Sequence, residues 1–354
     1  MIAVLGECVA DGFTESPPAG DASVPGGPSS ASGPSGANGP SGANGPSGAN
    51  GPSGANGPSG ANGEGGAGAG LGLRVLPGGG PANTAVALAR LGTRARFLGR
   101  LSGDVFGEMF RARLAASGVD LSAAVAAAEP STLAVAALDE SGRAAYTFYA
   151  QGTADWQWTR DELDLARLGT ASCLHTGSLA LVKQPGAAAV EEFAAAAAAE
   201  RVTVSIDPNV RPSLAARDDY QVERWCAYAD VLRLSDDDLA FLLPGTTAEA
   251  ACDRWHAAGA RLIVVTLGEK GALVSLDGER ATVPAVPVEV ADTVGAGDAF
   301  TAGLLHHLEG KGLLGGRLDG LDLDTAVAAA TFAARVAALT CTVPGADPPW
   351  SHQL

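Results

Sequence analysis

The sequence predicts an α/β fold: a central, mostly parallel sheet flanked by helices on both faces. Short β-rich runs alternate with helical stretches along most of the 354 residues. A valine-rich run, Val283–Val290, leads through a glycine turn into an apolar, Ala-rich stretch, the pattern of strand, tight turn and helix. Ligands in such sheets sit at the carboxyl ends of the strands. A hydrophobic share of 46% supplies a substantial core.

The elements follow in order. Ile2–Leu5 is an apolar strand. Ala82–Leu91 is a helix stopped by Gly92, and Ala95–Leu98 is a strand. Phe106–Ser117 is a helix closed by Gly118. Leu133–Leu138 and Ala144–Tyr149 form a hairpin about Glu140-Ser141-Gly142. Ala187–Ala199 is a surface helix with Glu191, Glu192 and Glu200 on its polar side. Val202–Ile206, Val231–Leu234 and Leu262–Thr266 are apolar strands, each beside a helix. Leu273–Leu276 and Ala281–Val290 are strands about Asp277-Gly278, and Thr325–Leu339 is a long helix.

One segment stands apart. From Gly33 to Asn62 the hexamer Gly-Pro-Ser-Gly-Ala-Asn occurs five times. Glycine falls at every third position, but the tract is short and poor in proline at the third position of each triplet, and a triple helix needs three chains. It reads as a disordered, low-complexity insertion spanning residues 17–70, placed in a loop or lid of an otherwise continuous domain over 1–354.

Net charge is −16. An acidic surface argues against nucleic acid and anionic membranes as partners, and no stretch reaches spanning length free of Gly, Pro and charge. A phosphate site in this chain must therefore be local, built from backbone dipoles and metal. The five cysteines form no Cys-x-x-Cys pair, and the N-terminus has no basic segment or long apolar run, which places the protein in the cytoplasm with reduced thiols. The Walker phosphate loop, the protein-kinase signatures and the Gly-x-Ser-x-Gly elbow are missing, and the five histidines show no metal spacing.

Asp292-Thr293-Val294-Gly295-Ala296-Gly297-Asp298-Ala299-Phe300 is the most informative segment. Its glycines let several N–H groups point at one spot, and the helix that follows adds partial positive charge there. Asp298 at the helix entrance is either a base for an attacking hydroxyl or an N-cap residue. Pro77-Gly78-Gly79-Gly80-Pro81-Ala82-Asn83 allows close backbone approach to a ligand, and the Asn83 amide suits sugar hydroxyls; the alternative is a plain loop entering a helix. Asp11, after the first strand, is a two-hydroxyl acceptor or a solvated turn residue. Asp207, Asn209 and Arg211, in a loop fixed by two prolines, can face a phosphate–metal site. Asp236-Asp237-Asp238 either organises Mg²⁺ through water or starts a capped helix. Thr266 to Gly271 is a strand end and turn suited to lining a nucleotide.

Taken in this order, the pieces resemble the ribokinase-like, or PfkB, family of carbohydrate kinases, with the closest likeness to its bacterial fructokinases. The segment from Gly79 to Gly107 resembles the first family signature: Gly-Gly-x-Pro-x-Asn, then Ala-Arg-Leu-Gly, Phe-Leu-Gly-Arg and Gly-Asp-x-Phe-Gly. The segment Asp292–Gly303 resembles the second. Gly6-Glu7…Asp11, Thr176-Gly177-Ser178-Leu179-Ala180-Leu181 and Asp207-Pro208-Asn209-x-Arg211-Pro212 point to the fructokinase branch.

The resemblance implies a Rossmann-like domain with a small β lid, here near 11–16, 71–78 and 131–150, and ATP-dependent transfer of a phosphoryl group to a sugar hydroxyl. It implies Asp298 as the base and the backbone of Gly295, Ala296 and Gly297 as the anion hole. Asp11, Gly79, Gly80 and Asn83 would hold the sugar, with Arg143 and Phe148 from the lid. Thr266, Gly268, Gly271 and Gly345 would line ATP. Ser235 and Asp238 stand where many relatives carry Asn and Glu, which assigns Ser235 to the nucleotide and Asp238 to the metal. The cofactors implied are ATP and Mg²⁺, with K⁺ as a monovalent cation to be tested, and a homodimer through the lid. Alternatives are a kinase for another sugar, for 2-keto-3-deoxygluconate or for a nucleoside, and a non-catalytic binding or repeat-organised scaffold protein.

Overall fold

The computed structural model describes residues 1–15, 72–138 and 144–354. The insertion expected at 17–70 and Arg143 lie outside them. In chain order the strands and α-helices are β1 Ile2–Leu5, β2 Val9–Glu15, β3 Gly72–Gly78, α1 Gly80–Arg90, β4 Ala95–Leu98, β5 Arg100–Ser102, α2 Val105–Ala116, β6 Val125–Ala127, β7 Thr132–Leu138 and β8 Ala144–Tyr149. Then come β9 Cys173–Gly177, α3 Ala187–Ala199, β10 Thr203–Asp207, α4 Val222–Cys226, β11 Val231–Ser235, α5 Asp236–Leu242, α6 Ala248–Ala258 and β12 Leu262–Thr266. β13 Ala272–Leu276, β14 Glu279–Val283, α7 Ala296–Gly310 and α8 Leu323–Thr340 complete the chain.

The main sheet has eight strands in the order β14-β13-β12-β11-β10-β9-β1-β4. From β4 to β12 all neighbours are parallel; β13 and β14 add an antiparallel edge. The parallel strands are buried on both faces, which is why they read as apolar runs rather than alternating ones. Strand order reverses at β1, with β4 on one side and β9 on the other. The loops after β1 and β9 part there and open a crevice at the carboxyl ends.

Helices α1, α7 and α8 pack as one layer on this sheet, α7 against both α1 and α8. Phe300, Leu304 and Leu308 of α7 are buried, each contributing roughly 1.5–3 kcal/mol. Gly303 lets the α7 and α8 backbones close up: a Cβ there would stand 2.8 Å from Ala333 Cα. Helix α8 is apolar enough for its length to cross a bilayer, with mean hydropathy 1.3, yet its buried alanines form a protein core with α7, β13 and β14.

A second sheet runs β3-β2-β7-β8, which brings Val9–Glu15, Gly72–Gly78, Thr132–Leu138 and Ala144–Tyr149 together. Its register fixes one face. Asp11 pairs with Ala134, and Ala134 with Phe148. All three line one cleft, because alternate residues of a strand share a side.

Two expectations need correction. The strand read over Ala281–Val290 ends at Val283, because Pro284 and Pro287 have no N–H for a ladder. The glycine turn is thus entered from irregular extended chain. Asp11, expected at a strand end, lies inside β2.

Candidate functional site

Helix α7 is capped at its N-terminus by Gly295, whose φ of 78° an L-residue adopts only with strain. A Cβ on Gly295 would also stand 2.6 Å from Ala346 Cβ. The turn before it is tied down by Asp292, which accepts from the Val294 N–H at 3.1 Å and the Gly345 N–H at 2.8 Å. Ala296 N–H closes the turn onto Thr293 O at 3.2 Å. Among the described residues, the N–H groups of Gly295 and Gly297 have no backbone acceptor. They, with the α7 dipole, form a spot for an anion. Of the three residues expected to form this hole, Ala296 is the one whose N–H is already engaged.

Asp298 is the third residue of α7, so the N-cap alternative is excluded: the N-cap is Gly295. Its Oδ2 accepts from the Asn83 amide at 2.9 Å. Asn83 sits in the first turn of α1, with its N–H on Gly79 O at 2.9 Å. Gly79, the N-cap of α1, has φ 103°, and a Cβ there would stand 2.5 Å from Glu7 O. The glycine run thus lets α1 start against the β1–β2 loop. Removal from water raises the Asp298 pKa to about 6, against the Asn83 hydrogen bond, while Asp207 pushes the same way as burial. Burial raises Asp11 to about 6 as well, opposed by the charge of Arg211 and assisted by that of Asp298. A carboxylate with a pKa near 6 is ionised at neutral pH yet basic enough to take a hydroxyl proton.

These groups line an open cleft of about 590 Å³ beneath the second sheet. Asp11, Gly79, Gly80, Asn83, Phe148 and Ser235 reach it, as do Gly295, Gly297 and Asp298. Thr266, Gly268, Gly271 and Gly345 do not. Thr266 ends β12, and Gly271 is packed under Val283 O. Asp238, expected at the metal, lines the same cleft and also caps α5. Its Oδ2 accepts from the Ser235 N–H at 2.9 Å and hydroxyl at 2.6 Å, and its Oδ1 from the Val210 N–H at 2.7 Å. That is a capping box that also holds the Asn209–Arg211 loop.

Sequence reasoning gave no role to Arg233. It is buried, pairs with Asp207 at 2.9 Å and donates to Thr266 Oγ1 at 2.6 Å. A Cβ on Gly297 would stand 2.6 Å from Arg233 Nη1. The guanidinium therefore lies against Gly297 at the start of α7, a fixed cation beside the anion spot.

A family model described as the pfkB family carbohydrate kinase matches residues 64–353. The chain belongs to that family. It is an enzyme, a carbohydrate kinase. It is 37% identical to a fructokinase of Rhizobium leguminosarum bv. trifolii over 67% of this chain and 73% of that one. It is 38% identical to a fructokinase of Klebsiella pneumoniae over 67% and 78%. Among solved structures, the fructokinase of Xylella fastidiosa with bound ATP superposes with a TM-score of 0.74 at 24% identity, covering 98% of this chain and 93% of that one, a likeness of fold. A fructokinase double mutant of Vibrio cholerae O395, solved with fructose, ADP and a potassium ion, gives 0.70 at 25% identity over 98% and 93%.

Proposed function

We propose that this sugar kinase is a fructokinase. Asp298 removes the proton of the sugar hydroxyl, and that oxygen attacks the γ-phosphorus of ATP. The observation that carries the reading is the meeting, in one cleft, of a carboxylate held by Asn83 and the N–H-lined start of α7 with Arg233 beside it. Phosphoryl transfer needs positioning and charge stabilisation more than covalent help, and these groups supply both. Asp11 and the Asn83 amide hold hydroxyls, Gly79 and Gly80 let the sugar approach the backbone, and Phe148 covers it from the second sheet, which acts as a lid. Fructose is taken from the names of the relatives and rests on them.

Mg²⁺ fits as the partner of the ATP phosphates. The described residues hold no cluster of three metal-ligating side chains, and Mg²⁺ in such sites keeps much of its water. Asp238 and exposed Asp237, which both line the cleft, are the carboxylates suited to that hydrated ion. Its chemistry when bound is to neutralise phosphate charge. A K⁺ requirement, nucleotide contacts by Ser235, Thr266, Gly268, Gly271 and Gly345, and a lid-mediated homodimer belong to the same reading.

The test is ADP release from Mg·ATP over fructose, ribose, glucose, tagatose, 2-keto-3-deoxygluconate, adenosine and fructose 6-phosphate. Fructose is expected to lead, with a loss of at least roughly two orders of magnitude in Asp298→Ala. Faster turnover of another acceptor replaces the substrate and keeps the mechanism. Unchanged turnover in Asp298→Ala removes the base.

A further inference from the structure

Glu7 is the group in the cleft that the proposed mechanism leaves unused. It follows β1 at the point where strand order reverses, so it lies on the crevice floor. Its side chain is 2% exposed. Its Oε2 finds no hydrogen-bond partner among the described residues. Buried carboxyl oxygens are ordinarily matched, so an unmatched one on a residue that lines a ligand cleft points to the ligand.

The surroundings fit a polar ligand atom. Asp11 and Gly79 border the same cleft, and Gly79 is packed on the Glu7 carbonyl. Ser178, from the loop after β9, lines the cleft and is held at φ 51°, a conformation serine rarely adopts. The charge of Asp155 acts on Glu7 in the same sense as burial, and Arg211 and the Ser178 hydroxyl oppose it. Burial outweighs Ser178 and Arg211 and lifts the carboxyl to about 7. Near neutral pH it is thus available both as acceptor and as donor, the pairing a sugar hydroxyl offers in return.

We infer that Glu7 is a second carboxyl of the sugar subsite, and that its carboxyl group hydrogen-bonds one hydroxyl of the acceptor sugar other than the one phosphorylated, selecting hydroxylated sugars over their deoxy analogues at that position. The inference rests on the sugar-kinase reading. A site built around a hydroxyl rejects the analogue that lacks it, because the buried polar group is then left unpaired.

The experiment measures kcat and KM for fructose and its monodeoxy analogues in wild type and Glu7→Leu. Expected is a rise in the fructose KM of at least about tenfold, larger than the change in kcat, with the KM for ATP unmoved. One deoxy analogue alone should be handled alike by wild type and Glu7→Leu. A mutant-to-wild-type ratio that is the same for every analogue, or an unchanged fructose KM, overturns the inference. A second readout covers a Glu7→Leu chain that does not fold. The side-chain ¹³C carboxyl resonance of Glu7, assigned by its loss in Glu7→Gln, should shift when fructose is added without nucleotide, and a stationary resonance overturns the inference. Wild-type turnover reports separately on the substrate: activity on another ketose but not on fructose moves both series to that ketose.

Discussion

The Asn83 amide donates to Asp298 Oδ2 across 2.9 Å, joining the first turn of α1 to the first turn of α7. The two residues are 215 positions apart, and each glycine motif brings one of them. The bond steadies the carboxylate and favours its ionised form, offsetting part of the rise due to burial.

Asn83→Ala removes that donor. The Asp298 pKa then moves up from about 6, because only the lowering influence is lost. The base must be ionised to work, so activity fails as pH falls through its pKa. The acid limb of the kcat/KM profile is expected to shift to higher pH in Asn83→Ala, and kcat at pH 8 should suffer less than kcat at pH 6. A limb that stays in place would separate Asn83 from the titration of the base.

Gly297→Ala is expected to lower both activity and stability. The new Cβ would stand 2.6 Å from Arg233 Nη1, and that guanidinium is held in a buried pair by Asp207 and Thr266. Disturbing the pair outweighs the gain of about 1 kcal/mol in helix propensity, so the melting temperature should fall. Either the cation or the start of α7 moves. A misplacement of this order costs roughly 10²-fold in turnover. Thermal melting beside steady-state kinetics checks both halves, and unimpaired turnover would show that the anion spot tolerates the shift.

Asp155 offers a test of pH linkage away from the chemistry. It accepts from the Cys8 N–H at 2.9 Å and Thr132 Oγ1 at 2.6 Å, and burial raises its pKa to about 6. A raised folded pKa means the native state holds its proton more tightly than the unfolded chain. That stabilisation is complete below the ordinary value of 3.8 and is lost as pH rises through about 6. Asp155→Asn has no such proton. Urea midpoints from pH 4 to 7 should therefore fall more in wild type than in Asp155→Asn. Parallel profiles would mean that Asp155 titrates normally.

What could be read from the sequence was local. Gly79-Gly80 and Gly295-Ala296-Gly297 announce close approach and a helix start within a few residues, and the strands Ile2–Leu5, Ala95–Leu98 and Leu262–Thr266 match the structure residue for residue. What escaped depends on distant pairing. Cys8 and Asp155 are 147 positions apart, and nothing near Arg233 hints that it meets Asp207 beside Gly297. Asp238 carries a tie that its neighbours in sequence do not announce: its Oδ1 accepts from the Val210 N–H, 28 positions away. The valines up to Val290 suggested a strand, and the two prolines among them were the local signal against it.

Arg233 carries the last prediction. It is the cation of a buried pair, so Arg233→Met leaves Asp207 uncompensated, which costs about 3–5 kcal/mol. Low activity in that variant alone would be ambiguous, since a destabilised protein also loses turnover. Adding Asp207→Asn removes the stranded charge and should restore most of the stability, because replacing both partners of a buried pair is far cheaper than breaking it. Turnover should not return, because the charge beside Gly297 is still missing; a deficit on the order of 10²-fold matches loss of one anion-hole group. Recovery of both stability and kcat in the double variant would make Arg233 a structural partner of Asp207 and leave transition-state charge to the α7 backbone and the metal–nucleotide complex.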